Sequence, residues 1–119
     1  MDESILISVK KLLGISSEDT SFDLDVLVHI NTILTNLIQM GIGPSEGFYV
    51  SGVTETWGQF IQNDLLLQQV KSYVYLKVKL LFDPPTNSSM IESFKQLASE
   101  LEWRLFVERD NQINPYIGD

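Results

Sequence analysis

Apolar residues recur along most of this chain at the three- and four-residue spacing that is typical of amphipathic α-helices. Glycine, proline and short polar clusters interrupt this pattern and divide it into separate segments. The segments predict helices over about residues 2–13, 23–40, 64–82 and 89–109. We therefore predict an all-α fold, a small bundle of about four helices, with residues 1–109 forming one helical domain.

The last two predicted helices are separated only by Asp83-Pro84-Pro85 and a few polar residues. Proline cannot continue a helix, and so short a connection returns the chain beside the helix that it has left. Ser89 and Glu92 have the spacing of a capping box, which predicts where the final helix begins. We expect these two long helices to form an antiparallel hairpin, with the second helix packed across it. The expected core consists of Leu27, Ile30, Leu34, Leu66, Val70, Val74, Phe94, Leu101 and Leu105.

Glycines interrupt residues 41–56, which carry no helical pattern. Two short β-prone runs flank Gly52 and allow either a small β-hairpin or an extended arm, and the residues that follow can add one turn of helix. Phe48, Tyr49 and Val50 are too apolar for an idle loop. We therefore predict an arm that contacts either a neighbouring subunit or the next ring through these three side chains.

The final predicted helix has two apolar faces. Trp103, Phe106 and Val107 lie on one side near its end, while the opposite side carries Met90, Phe94, Leu97, Ala98, Leu101 and Leu105. A hairpin partner covers only one of these faces, so the other requires a further element of this chain or another subunit. We interpret Trp103, Phe106 and Val107 as contacts between subunits.

Residues 110–119 are predicted to form a flexible C-terminal tail, because Pro115 lacks the amide that a helix needs. Ile113, Tyr116 and Ile117 nevertheless make this segment more apolar than a purely solvating tail. Two interpretations remain open. The segment is either a disordered terminus of the common kind, or one that becomes ordered on a partner as an added strand or an anchored peptide.

Charge and composition narrow the possible functions. The chain has 16 acidic and 8 basic residues, a formal net charge of −8, which argues against binding to a phosphate backbone. The absence of cysteine excludes disulfides and thiolate metal sites, and His29 is the only histidine. An acidic N-terminus and lysines within the most apolar window indicate a soluble intracellular protein with no membrane span. The mean hydropathy of +0.04 is high for a small acidic chain, and either a well-filled core or buried subunit interfaces would explain it.

We find no motif for catalysis, a cofactor or a metal. Asp25 and His29 are one helical turn apart, but no serine or cysteine motif accompanies them, and a solvated pair is the simpler interpretation. Lys77 lies within an apolar helix face, where the simplest interpretation is that it either reaches the edge of that face or pairs with a carboxylate such as Glu102. A contact with another subunit and a functional lysine are the alternatives. The glycines of residues 41–47 neither follow a strand nor precede the lysine of a phosphate-binding loop.

Several segments together resemble the phage head–tail connector family of siphophages and of prophages in Gram-positive bacteria. The most specific is Tyr75-Leu76-Lys77-Val78-Lys79-Leu80-Leu81-Phe82-Asp83-Pro84-Pro85, and Thr56-Trp57-Gly58-Gln59-Phe60 and Glu100-Leu101-Glu102-Trp103-Arg104-Leu105 add to it. So do the start of the second helix, residues 23–32, and Gly41-Ile42-Gly43-Pro44. The similarity extends from Phe22 to about Val107.

The resemblance implies a non-enzymatic helical virion protein, assembled in the host cytoplasm, that forms a homo-oligomeric ring of about a dozen subunits. Such a ring docks on the portal protein, extends the DNA exit channel and offers a platform for the next head-completion or tail component. By this interpretation Tyr116 and Ile117 anchor docking to the portal, and negative charge lets DNA pass without binding. The alternative function is that of a small oligomeric accessory or regulatory protein that uses the same faces to bind one protein partner.

Overall fold

The computed structural model describes residues 3–113, and their side chains as far as residue 111. Within these residues five α-helices follow one another: α1 Ile5–Leu12, α2 Asp23–Gln39, α3 Trp57–Phe60, α4 Asp64–Phe82 and α5 Ser88–Ile113. Between residues 3 and 113 the backbone forms no β-strand, only one isolated antiparallel bridge between Ser4 and Thr56. The predicted all-α fold is confirmed, and the β-hairpin considered for residues 41–56 does not form.

Two helices begin at residues other than those predicted from the sequence, because different side chains cap them. The side chain of Ser4 accepts a hydrogen bond from the Ile7 amide at 3.3 Å, so α1 starts later than predicted. At the start of α5 the side chain of Asn87 accepts bonds from the amides of Ser89 at 2.8 Å and Met90 at 3.3 Å. The predicted capping box at Ser89 and Glu92 is therefore wrong, because Asn87 already satisfies the free amides of the first turn.

The hairpin of α4 and α5 is antiparallel, as predicted. Tyr73, halfway along α4, donates a hydrogen bond to Glu102 of α5 at 2.9 Å, while Leu81 near the end of α4 lies close to Ile91 near the start of α5. α2 packs against α4, and the short α1 packs against both α2 and α4. α5 continues four residues beyond its predicted end at Arg109. Residues 110–113, which were predicted to be part of the flexible tail, are therefore helical.

The core draws on every element of the fold. Six of the nine predicted core residues are buried, namely Ile30, Leu34, Leu66, Val70, Val74 and Leu105, whereas Leu27, Phe94 and Leu101 are only partly buried. The sequence pattern missed the contribution of the short elements. These supply the buried residues Ile5, Leu6, Val9, Ile42, Val50, Trp57 and Phe60.

Residues 41–56 lie against the helices rather than extending away from them. The side chain of Asn31 on α2 bonds both backbone groups of Val50, accepting from its amide at 2.8 Å and donating to its carbonyl at 2.9 Å. Gly43 has a φ of +95°, and a Cβ there would stand 2.6 Å from a ring atom of Phe60. Glycine is therefore required at position 43 both for its backbone conformation and for the close approach of the ring.

Candidate protein-interaction surfaces

The three predicted contact residues of segment 41–56 have different environments. Val50 is fully buried within the chain's own core, and Phe48 is partly buried, with its ring centroid 5.4 Å from that of Phe60 in an edge-to-face arrangement. Only Tyr49 is open to solvent, with 69% of its surface exposed. Phe48 and Val50 therefore hold the segment in place, and Tyr49 is the residue that they present.

The loop that follows Tyr49 is tied together by Glu55. The carboxylate accepts hydrogen bonds from the Ser51 hydroxyl at 2.7 Å and from the Gly52 amide at 3.3 Å. The bond from the Ser51 hydroxyl is the main reason that the pKa of Glu55 lies below its usual value. Tyr49 and the half-exposed Val53 are thus carried on a loop with defined internal bonds.

The outer side of α5 carries a second exposed surface, which we call the Trp103 face, formed by Trp103, Phe106 and Val107. Trp103 is 68% exposed and Val107 40% exposed, while Phe106 lies under the guanidinium of Arg109, 4.9 Å from ring centroid to Cζ. Within the described residues the hairpin partner α4 packs on the other side of α5, around the buried Ala98 and Leu105. The structure therefore places the three predicted residues together and leaves two of them exposed.

Sequence reasoning missed a third exposed surface, on α2. Leu24 is 75% exposed and Val28 is 56% exposed, and they lie one turn apart on one side of the helix. Neither residue is among the contacts predicted from the sequence. The available indication was the width of the apolar arc of α2, because one-sided packing needs an arc of only about 100°.

An open groove of about 750 Å³, which we call the interhelical groove, lies between α2 and the α4–α5 hairpin. Its polar side chains include Lys77, Lys95 and Glu102, and its apolar wall consists of Ile33, Leu80, Leu81, Pro84, Ile91 and Ala98. Lys77 reaches this opening with its ammonium 5.9 Å from the centroid of the Tyr73 ring. Of the two arrangements expected for Lys77, the structure has the one at the edge of the apolar face.

Glu102 is held by Tyr73 instead of by Lys77. The Tyr73 hydroxyl, on a side chain only 3% exposed, donates to the Glu102 carboxylate at 2.9 Å. Burial of the hydroxyl, assisted by the hydrogen bond to Glu102, raises the pKa of Tyr73 above its usual value. Tyr73 therefore remains a neutral donor, and Glu102 is the only carboxylate among the described residues that line the groove.

Lys10 is a buried cation that the sequence analysis overlooked. Only 2% of its surface is exposed, and its ammonium lies 2.7 Å from the Asp23 carboxylate and 2.7 Å from the Asp19 carbonyl oxygen, to which it donates. It thereby fixes the α1–α2 connection to the start of α2. The available indication was its position four residues after Leu6, next to the core face of α1.

Asp25 and His29 have different environments in the structure. His29 packs its ring against Phe82, 6.4 Å between centroids, and Asp25 is exposed. Across residues 3–113 no group of three or more histidine, aspartate or glutamate side chains is placed to hold a metal ion. What the surface of these residues does provide is apolar area suited to contacts with other proteins.

Comparison with known protein families shows which family this chain belongs to. Residues 5–112 match the family described as phage connector protein. The chain belongs to the phage connector protein family. No curated protein and no solved structure matches the chain, so the family match is the single comparison that carries information.

As a phage connector protein, this chain has a structural role in the virion and interacts with other head or tail components of the phage. The family is a structural one. Its matched range includes Tyr49, the Trp103 face, the α2 surface and the interhelical groove. Tyr116 and Ile117 lie beyond both that range and the described residues, and the side chain of Ile113 is also outside the described part. None of the helices within residues 3–113 combines the length and apolarity needed to cross a membrane.

Proposed function

We propose that this connector protein forms a ring of identical subunits beneath the portal and joins the DNA-filled head of the phage to its tail. The portal protein and the next head-completion or tail component would be its other partners. It would act in the virion after assembly in the host bacterial cytoplasm. Ile113, Tyr116 and Ile117 remain predicted contacts with another protein subunit.

The observation that carries the proposal is the exposure of the Trp103 face. Aromatic side chains are enriched at the centres of protein interfaces, and burying their surface stabilises a contact by about 25 cal/mol per Å². Trp103, at 68% exposed, leaves most of that surface in water in the isolated chain. A neighbouring subunit is the natural element to cover it in a connector.

A ring also requires a second, different surface on each subunit. Contacts between unlike surfaces repeat from copy to copy and close into a ring when the rotation between copies permits it. The exposed Leu24 and Val28 on α2, and Tyr49 on its loop, lie on elements other than α5. The chain thus carries more than one apolar surface, as a head-to-tail ring contact needs.

The charge of the chain suits a wall around a DNA channel. A net charge of −8 per subunit repels the phosphate backbone and prevents tight binding. DNA would therefore pass through the ring without being held. This supports the proposed channel role and also explains why nucleic acid is not proposed as a binding partner.

The test compares wild-type protein with Trp103→Ala by analytical ultracentrifugation and by electron microscopy with the cognate portal protein. We expect wild type to form rings on the portal, and we expect Trp103→Ala to lose ring formation while melting at an unchanged temperature. Leu65→Ala is the matched control, because Leu65 is 65% exposed on α4 and lies outside the Trp103 face. Rings formed equally well by Trp103→Ala, or a wild-type protein that stays a dimer with no affinity for the portal, would contradict the proposal.

A further inference from the structure

The interhelical groove is a cationic, apolar opening on an acidic protein. Lys77 and Lys95 face it, while its one lining carboxylate, Glu102, already accepts a hydrogen bond from Tyr73. Lys77 forms no ion pair within residues 3–113, and Lys95 has only a loose, exposed contact with Glu92 at 3.9 Å. The groove therefore has positive charge that the surrounding chain does not neutralise.

This chemistry defines what the groove can hold. Its apolar wall favours large apolar side chains, and its two ammonium groups favour a carboxylate beside them. A volume of about 750 Å³ accommodates a few residues of a peptide. Residues 114–119 of this chain have the sequence Asn-Pro-Tyr-Ile-Gly-Asp, in which the acidic residue Asp119 follows Tyr116 and Ile117 after one glycine.

The chain geometry favours binding between copies over binding within one copy. α5 ends at Ile113, and the groove residues on α5 extend from Glu102 back to Ile91. At 1.5 Å per residue these lie about 17 to 33 Å from the end of the helix. Tyr116 and Ile117 are three and four residues past Ile113, which gives them a reach of about 10 to 13 Å even in a fully extended chain. They fall short of their own groove.

We propose that residues 114–119 of one copy bind in the interhelical groove of a neighbouring copy, with Tyr116 and Ile117 against the apolar wall and Asp119 beside Lys77 and Lys95. The segment acts as an anchored peptide that links adjacent subunits. This link rests on the proposed self-association of the connector. It also assigns a function to the groove, which a contact between subunits through the Trp103 face alone would not use.

The experiment uses a chain that ends at Ile113, which leaves its groove free, and a fluorescently labelled synthetic peptide of residues 111–119. Fluorescence anisotropy measures binding of the peptide. We expect saturable binding that weakens about tenfold with Lys95→Glu, because a rim ammonium is replaced by a charge that repels the peptide carboxylate. Lys95 is 61% exposed, so its replacement leaves the core intact. Lys11→Glu, on the exposed side of α1, makes the same charge change away from the groove and is expected to bind as wild type.

Changes to the peptide provide the reciprocal test. Peptides with Tyr116→Ser or Asp119→Asn are expected to bind more weakly, each by several-fold. The proposal is overturned if the peptide does not bind, if Lys95→Glu and Lys11→Glu weaken binding equally, or if the peptide binds purified portal protein and not the chain ending at Ile113.

The outcome can be separated from that of the proposed ring. If the full chain forms rings and the peptide shows no affinity for the groove, the ring remains and the link is wrong. If the peptide binds the groove and the full chain never exceeds a dimer, the link remains and the ring is wrong. Sedimentation of the full chain and of the chain ending at Ile113 supplies the second measurement.

Discussion

At the scale of single residues, one buried hydrogen-bond chain joins two distant parts of the fold. The indole N–H of Trp57, a side chain only 1% exposed, donates to the Ser8 hydroxyl at 2.7 Å, and that hydroxyl donates to the Ile5 carbonyl at 3.0 Å. Ser8 and Trp57 are 49 positions apart in the chain. A buried indole N–H without an acceptor costs free energy, so the Ser8 hydroxyl stabilises the packing of α3 against α1.

We expect Ser8→Ala to lower the free energy of unfolding by about 1–3 kcal/mol, because the Trp57 N–H loses its acceptor in a buried position. Urea denaturation followed by tryptophan fluorescence measures the change. Ser93→Ala, at an exposed position on α5, is the control and should change the free energy of unfolding by less than about 0.5 kcal/mol. If the two substitutions changed the free energy of unfolding equally, the bond from Trp57 to Ser8 would not stabilise the fold.

At the scale of secondary-structure elements, α5 completes the end of α2. The guanidinium of Arg109 donates to the Met40 carbonyl oxygen at the C-terminus of α2, where the last turn of that helix contains no basic residue of its own. Gly41, with a φ of +91°, turns the chain there, and a Cβ at this position would stand 3.1 Å from the Arg109 side chain. A cation at a helix C-terminus stabilises the unpaired carbonyls and the helix dipole.

Arg109→Gln is expected to lower the free energy of unfolding by about 1–2 kcal/mol, because the charged donor to the end of α2 is lost. Thermal melting followed by circular dichroism measures this. Arg104→Gln, on the same helix at an exposed position, serves as the matched control and should melt close to wild type. If both variants melted at the same temperature, the bond from Arg109 to the Met40 carbonyl oxygen would not contribute to stability.

At the scale of the whole molecule, segment 41–56 joins core and surface. Asn31 and the buried Val50 anchor it to α2, while the neighbouring Tyr49 is exposed. An anchored loop presents a side chain in a fixed place and loses little entropy when that side chain binds. The molecule therefore has a firmly held contact residue here in place of a free arm.

We expect Tyr49→Ser to leave the melting temperature within about 2 °C of wild type, because Tyr49 is 69% exposed, and to weaken self-association measured by sedimentation. Asn31→Ala is the contrasting variant. Loss of its two bonds to Val50 should lower the free energy of unfolding by about 1–3 kcal/mol. Unchanged self-association of Tyr49→Ser would show that Tyr49 is not a contact between subunits.

The amino-acid sequence alone determined the long helices and their antiparallel return. The apolar period and the prolines after Phe82 predicted the bounds of α2 and α4 closely, and segments around Trp57, Lys77 and Trp103 predicted the connector family. These features are local in the chain, since periodicity, caps and helix-breaking residues act over one or two turns. The same kind of reasoning identified Trp103 and Val107 as uncovered, because a hairpin partner packs on only one face.

The tertiary structure alone decided what the short and irregular parts do. Val50 and Phe48 are core residues because Asn31 and Phe60, far away in sequence, hold them, and no period within residues 41–56 indicates that. Lys10 is buried because two carbonyl oxygens of the α1–α2 connection and the carboxylate of Asp23, at the start of α2, surround its ammonium. The interhelical groove is lined jointly by residues of α2, α4 and α5, which come together only because α2 and α5 both pack on α4. Each of these three features depends on contacts between residues that are distant in the chain. The pattern of apolar and polar residues within one segment does not predict such contacts.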